Sequence, residues 1–284
     1  MEVEAEAMNQ KRRDAHVPER IQPGTDPAGG KALRVQGGSY ISTVDNMDWK
    51  AFWNDSAQVR DADFRRQVGR TFRGEPYSDR QLDAVLAGIT SHLRPSPELT
   101  LFELACGNGL LTVRLAPLFK RITAVDFSRP LIETANRHFK ADNITYQLAD
   151  ASELQGVQGA YDRVLMSAAL QHLSAAQAER MFARLAQLVK PGGLIVLADV
   201  ADGDRIWQFY RGISGRARYL LDRARGRSAL GHWWSPAALL LQAQKRGWSL
   251  SIHYQTPENP NHYFRFDAVL RVPDGSGGPS SPAR

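Results

Sequence analysis

The chain has one cysteine, Cys106, in 284 residues, so no disulfide can form within it. A lone thiol beside glycines suits a reducing compartment and gives no sign of secretion. No apolar run approaches the roughly 20 residues that a membrane-spanning helix needs. Metal-ligand spacing is missing as well. The histidines at positions 16, 92, 138, 172, 232, 253 and 262 are dispersed, and none pairs with the cysteine or with another histidine, so no metal is expected. Glutamates at positions 2, 4 and 6 argue against a signal or transit peptide, and the expected location is the cytoplasm. No internal repeat is seen.

What is present suits a globular chain. Hydrophobic residues make up 43%, enough to bury a core without staples. The net charge of +6 comes mostly from scattered residues, which read as solvated surface rather than as a nucleic-acid footprint. Heavy use of alanine and arginine suggests a bacterial source. Residues 1–38 lack hydrophobic period and read as a disordered tail, as do 273–284. Residues 39–98 read as an N-terminal helical cap and 99–272 as the main domain, with 201–234 inserted as a helical lid.

Strand and helix signals alternate through the main domain. Short apolar strands are expected at 100–104, 121–125, 144–148, 163–166 and 194–198. A helix is expected over 110–119, a second capped by Ser128 with Pro130 in its first turn, and others opened by the capping boxes at Ser78 and Ser174. Repeated strand–helix units imply a parallel sheet covered by helices on both faces. The last two strands, 250–255 and 264–272, have no helix between them and should close one edge as an antiparallel hairpin. The predicted fold is a Rossmann-like, seven-stranded, mostly parallel α/β sheet.

The first strand runs into Glu103-Leu-Ala-Cys-Gly-Asn-Gly. Small residues between a strand and a helix let backbone approach a ligand closely. The second strand ends in Asp126, where a carboxylate can accept from both hydroxyls of a ribose. The run from Gly107 is Gly-Asn-Gly-Leu-Leu-Thr, so Thr112 stands where a dinucleotide loop has its last glycine. Acidic Glu103 also suits a cationic ligand better than a pyrophosphate.

These residues resemble the acidic-x-G-x-G-x-G first motif of the class I S-adenosylmethionine-dependent methyltransferases, small-molecule type. The resemblance covers about residues 99–200. It implies S-adenosylmethionine as cofactor, with Glu103, Ala105, Cys106, Gly107, Asn108 and Gly109 around the methionine end. Asp126 and Phe127 would meet the ribose, Asp150 and Ala151 the adenine, and Met166 and Ser167 the sulfonium side. Ala105 departs from the family's usual glycine.

After the fourth strand comes Ser167-Ala-Ala-Leu-Gln-His172, and the resemblance places this loop beside the acceptor. His172 is the candidate general base; its alternative is a histidine bonded to backbone. The loop lacks the Asn/Asp-Pro-Pro-aromatic signature of amide and adenine-amine methylation. In the insertion, Trp207, Tyr210, Arg211 and Tyr219 are candidate acceptor contacts. The arginines there, Arg205 to Arg227, point to an anionic acceptor or to a solvated amphipathic helix. Trp49, Phe52 and Trp53 share helical spacing and are expected over the cofactor mouth; Arg70, which follows, is expected either to meet the methionine carboxylate or to lie on the surface. The expected partner is a small-molecule acceptor. An RNA methyltransferase, a nicotinamide-dependent oxidoreductase and a cofactor-binding regulator without turnover stay open at this level; oligomeric state is not legible.

Overall fold

The computed structural model describes residues 22–25, 31–34, 49–59, 63–225, 228 and 230–275. The reading of 1–38 as a tail falls mostly outside these residues; within it, β1 (Gln22–Thr25) and β2 (Lys31–Arg34) pair antiparallel. Arg227 and residues 276–284 also lie outside them.

The cap comprises α1 (Trp49–Val59), the single turn α2 (Phe64–Gln67), a small ribbon of β3 (Thr71–Phe72) and β4 (Glu75–Pro76), and α3 (Asp79–Leu93). Ser78 caps α3 through the expected reciprocal box with Gln81. Five parallel strands follow: β5 (Thr100–Leu104), β6 (Arg121–Asp126), β7 (Ile144–Leu148), β8 (Tyr161–Ser167) and β9 (Val189–Ala201). Then come β10 (Ser249–Tyr254) and β11 (Arg265–Arg271). The seven stand in the order β10-β11-β9-β8-β5-β6-β7, with β11 antiparallel to both its neighbours.

Alternation along the strands feeds two cores. Phe102, Val164 and Ile195 face α6 (Ala175–Leu188) and α9 (Pro236–Gln244), while Leu101, Leu165 and Val196 face α3. Both faces being covered explains why the strands read as nearly unbroken apolar runs. Three boundaries differ from the sequence reading. The helix expected over 110–119 shrinks to one turn, α4 (Thr112–Leu115), continued as a 3-10 turn through Ala116–Leu118. Pro117 has no N–H to continue an α-helical ladder. Strand β8 starts two residues early at Tyr161, and β9 takes in the Pro191-Gly-Gly run as an irregularity in its register with β8. Third, Ser128 precedes α5 (Arg129–His138) but its side chain makes no capping bond.

The insertion leaves and rejoins the sheet at one point. Asp202 bridges Trp234, and Trp234 donates its backbone N–H to Ala201 O at 3.0 Å. Between them lie α7 (Ile206–Phe209) and α8 (Gly212–Ala224). Trp234 is 2% exposed, sits in the core, and donates Nε1 to Leu170 O at 3.1 Å.

Ser174 accepts from Gln177 N at the start of α6, and Gln177 returns the bond to Ser174 N. Replacing Ser174 with alanine should lower stability by about 1 kcal/mol, read as a shifted urea midpoint at unchanged m-value.

Candidate functional site

Three acids stand at the carboxyl ends of adjacent parallel strands: Glu103 in β5, Asp126 at the end of β6, and Asp150 two residues past β7. Asp126 is 5% exposed; Oδ2 accepts from Gly107 N at 2.9 Å and Oδ1 from Ser128 N at 2.8 Å. It therefore knits two loops together, while the Ser128 Oγ is buried without a partner. Burial pushes its carboxyl up to about 6, against those backbone donors. Each carboxylate oxygen keeps a second lone pair for a ligand hydroxyl.

Glu103 is buried, and its Oε2 has no hydrogen-bond partner. Desolvation lifts its pKa to about 7. A buried orphan acid is the kind of group that a bound cationic or donor-bearing ligand would satisfy. Between the two acids the loop turns on left-handed residues: Ala105 (φ 52°), Gly107 (φ 59°) and Gly109 (φ 81°). A Cβ on Gly107 would stand 2.6 Å from Val68 Cγ1, and one on Gly109 would overlap the Tyr146 hydroxyl. Asn108, fully buried, donates Nδ2 to Phe64 O at 2.8 Å and to Gln67 Oε1 at 2.9 Å. The segment 64–68 thus roofs the glycine loop.

Asp150 pairs with Lys50 of α1 at 2.6 Å and accepts from Ser152 N at 2.8 Å. Against the cost of partial burial, these contacts hold its carboxyl below the usual range. Ala151 is buried beside it, and Cys106, also buried, has its thiol pushed up by desolvation. Phe127 lies between Asp126 and Ser128, partly buried. Met166 sits in the core below the sheet end, 1% exposed, and Ser167 Oγ accepts from Arg70 at 2.7 Å.

A cavity of about 820 Å³ opens over the ends of β8 and β9. Its walls are Trp49, Phe52 and Trp53 from α1, residues 66–73, and Tyr210, Arg211, Ser214, Gly215 and Arg218 from the insertion. His172 lines it. Trp49 tilts against the imidazole (centroids 4.1 Å apart) and Trp53 meets it edge-on (5.5 Å), and its Nδ1 is buried without a partner. Burial, helped by Arg265, lowers its pKa to about 3, so it is neutral at pH 7. The aromatics of α1 therefore cover His172, while Lys50 of the same helix reaches Asp150. Of the four acceptor candidates, Tyr210 and Arg211 line the cavity. Trp207 and Tyr219 do not; they meet edge-to-face with centroids 5.0 Å apart, and Tyr219 backs Tyr210 at 5.1 Å.

Several lining residues carried no sequence signal. Asp199 in β9 adopts φ 62° and is 6% exposed. Arg70 donates to its Oδ2 at 3.1 Å, Arg265 Nε lies 3.5 Å from Oδ1, and Arg265 also donates to its carbonyl. Arg70 is itself 5% exposed, so it is neither a surface arginine nor free for a ligand carboxylate. Tyr77, held at about 12 chiefly by burial, accepts from Asn261 Nδ2 at 2.9 Å. Asp199 follows the rule that functional groups gather at strand carboxyl ends. Arg265, Asn261 and Tyr263 come from the far end of the chain, where no motif marks them.

Among the described residues, no group of side chains has metal-ligand geometry, and no helix is long and apolar enough to cross a membrane.

Residues 101–193 match a family model described as a methyltransferase domain. A ubiquinone biosynthesis O-methyltransferase of Rhizobium leguminosarum bv. trifolii is 32% identical over 109 residues, 38% of this chain and 42% of the relative. The chain spans half or less of the length of the curated relatives it matches. Among solved structures, the DhpI complex with SAH superposes with a TM-score of 0.55 at 24% identity, over 78% of this chain and 94% of the other. The N-methyltransferase NodS from Bradyrhizobium japonicum, in complex with S-adenosyl-L-homocysteine, gives 0.54 at 15% identity, over 78% and 99%. At these identities the structures establish the shared fold.

The Glu103 pKa carries a stability prediction. The unfolded group ionises near 4.5 and the folded one near 7, so its contribution is fully present below 4.5 and is lost as pH rises toward 7. Glu103→Gln should raise Tm relative to the parent chain more at pH 8 than at pH 4, by differential scanning calorimetry. An equal shift at both pH values would show that Glu103 ionises normally.

Proposed function

We propose that this chain, whose residues 101–193 match a methyltransferase-domain model, is a class I S-adenosylmethionine-dependent methyltransferase that transfers a methyl group to an oxygen or nitrogen of a small anionic acceptor. The observation that carries the reading is the juxtaposition of two compartments. The glycine loop with its three strand-end acids forms one, and the arginine-lined cavity beyond Ser167 and His172 forms the other.

The residues fit the cofactor. The orphaned Glu103 oxygen suits the amino-acid end, Asp126 the ribose hydroxyls, and Asp150 an exocyclic amine once Lys50 yields. When bound, S-adenosylmethionine supplies an electrophilic methyl on a sulfonium. What remains for the protein is alignment, since an in-line near-attack arrangement removes much of the barrier. Trp49 and Trp53 clamp His172, whose neutral ring can accept a hydrogen bond from the acceptor's O–H or N–H and so direct its lone pair. A pKa near 3 makes it an orienting acceptor more than a strong base in the unliganded protein.

The charge of the walls supports an anionic acceptor. Arg66, Arg70, Arg73, Arg211, Arg218 and Arg265 line the cavity, and Asp199 is the single acid among the lining residues. Asp199 is engaged by Arg70 and Arg265, Arg66 pairs with Asp63 and Glu75, and Arg218 with Asp222, so the positive potential left at the wall comes from Arg73 and Arg211, which have no acidic partner among the described residues. Arg211 lies over the Tyr263 ring at 4.5 Å, which orients its guanidinium at the wall. The matched relatives include proteins named as O-methyltransferases, and a structural neighbour is titled an N-methyltransferase, which supports either acceptor atom. The expected setting is the cytoplasm.

Titration calorimetry with S-adenosylhomocysteine tests the first compartment. The parent chain should bind it and Asp126→Asn should bind at least about tenfold more weakly, the loss of one charge-assisted hydrogen bond. No heat with the parent chain, or equal affinity in the variant, would remove the cofactor assignment. For the second compartment, S-adenosylhomocysteine release should be screened over phenolic, amine and carboxylate-bearing acceptors. With an acceptor found, Arg211→Glu should raise KM about tenfold or more, and the effect should shrink with added salt. A KM indifferent to Arg211→Glu and to ionic strength would reject the anionic class.

A further inference from the structure

Helix α8 leaves an organised apolar stripe in solvent. Ile213, Ala217, Leu220, Leu221 and Ala224 recur at i, i+4, i+7, i+8 and i+11, which is one face of a helix. Ile213 is 90% exposed, Leu220 62% and Leu221 48%. Isolated exposed apolar residues are ordinary, but five in helical register are not scattered. Exposed Arg216 and Arg223 flank the stripe on one side, and Arg218 and Arg225 on the other. The helix's one acid, Asp222, is buried and lies 3.7 Å from Arg218. Beside the helix stands Trp207, 46% exposed, with Arg216 5.7 Å from its ring centre.

We infer that α8 docks the protein on an anionic lipid surface, lying in the interface with Ile213, Leu220 and Leu221 among the acyl chains and the flanking arginines at headgroup level. The charge pattern selects this occupant. A protein–protein interface is depleted of charge at its core, whereas here the stripe runs beside exposed Arg216 and Arg223, with Arg225 on its other border at the helix end, while Arg218 turns toward the cavity and Asp222. That is the pattern of an interfacial helix: apolar face, cationic borders and an aromatic at the boundary. Anionic lipid also compensates the arginines, each strengthening attachment about fivefold. The inference stands apart from the methyl-transfer reading, because attachment needs neither cofactor nor acceptor.

The full chain should be sedimented with vesicles of phosphatidylcholine alone, and with vesicles that also contain about one third phosphatidylglycerol. Binding is expected to the anionic vesicles only, and to weaken as sodium chloride rises past the range where the Debye length falls below about 8 Å. Ile213→Asp with Leu220→Asp should reduce the bound fraction at least tenfold at an unchanged circular dichroism spectrum. Arg216→Glu with Arg223→Glu should do the same while leaving the apolar stripe intact. Indifference of the two vesicle types, or binding unaffected by both pairs, would overturn the inference. So would a concentration-dependent dimer in analytical ultracentrifugation that Ile213→Asp with Leu220→Asp dissolves, since the stripe would then be an interface between copies.

Discussion

Asp199 is the point on which the cavity side of the molecule hangs. It is a buried carboxylate on left-handed backbone at the end of a central strand, and either circumstance alone would be costly. Both are tolerated because two nearly buried arginines meet it from opposite parts of the chain. Arg70 arrives from the cap, and Arg265 from the start of the closing strand. Asp267 adds a bond to the Asp199 N–H at 2.8 Å, and Gln255 reaches Asp267 at 2.8 Å. A buried charge left without partners would cost several kcal/mol, so none of these segments can drift without exposing the others to that penalty. The floor of the cavity is fixed by electrostatics, while its apolar walls are fixed by packing.

A parallel arrangement governs the cofactor side, with a different balance. Asp126 is satisfied by backbone donors, Asp150 by Lys50, and Glu103 by neither. The three adjacent acids therefore differ in how readily they give up their present partners. Asp126 is part of the loop's own architecture. Asp150 must release an ion pair that is more than half exposed on the lysine side, which costs little. Glu103 has only the Thr112 hydroxyl beside it, and its Oε2 has no partner to release. The segment 64–68 lies over the same loop through Asn108 and Val68, so the helices that wall the acceptor cavity also roof the glycine turn.

Much of this was legible in the chain itself. Alternating apolar strands and capping boxes gave the sheet, and Ser78 and Ser174 cap as their sequence context demands. The strand-end acids are found by counting from Glu103, because a parallel sheet puts ligand groups at carboxyl ends. Ser128 misled because residue identity at an N-cap does not fix where the hydroxyl points: its backbone N–H is bonded to Asp126, while its Oγ is buried without a partner. The short helix at Thr112 misled because Pro117 was read as an interior residue of an apolar run, though it forbids a longer ladder. Arg265, Asn261 and Tyr263 were invisible for another reason: their role depends on β11 inserting between β10 and β9, a pairing that no local pattern records. Trp207 and Tyr219 were chosen for composition, and composition does not say which side of a helix faces inward.

The joint at Asp202 and Trp234 has a consequence for how such a molecule can diversify. α7 and α8 leave and rejoin the sheet through one stem, closed by Trp234 N to Ala201 O and Gly203 N to Trp234 O, both at 3.0 Å, and pack back on the fold through side chains, Phe209 against Phe264 and Arg211 over Tyr263. Length and composition between the two ends can change without altering the register of any sheet strand. One part of the cavity wall is thus a separable module, hung beside a glycine-loop half that other segments build.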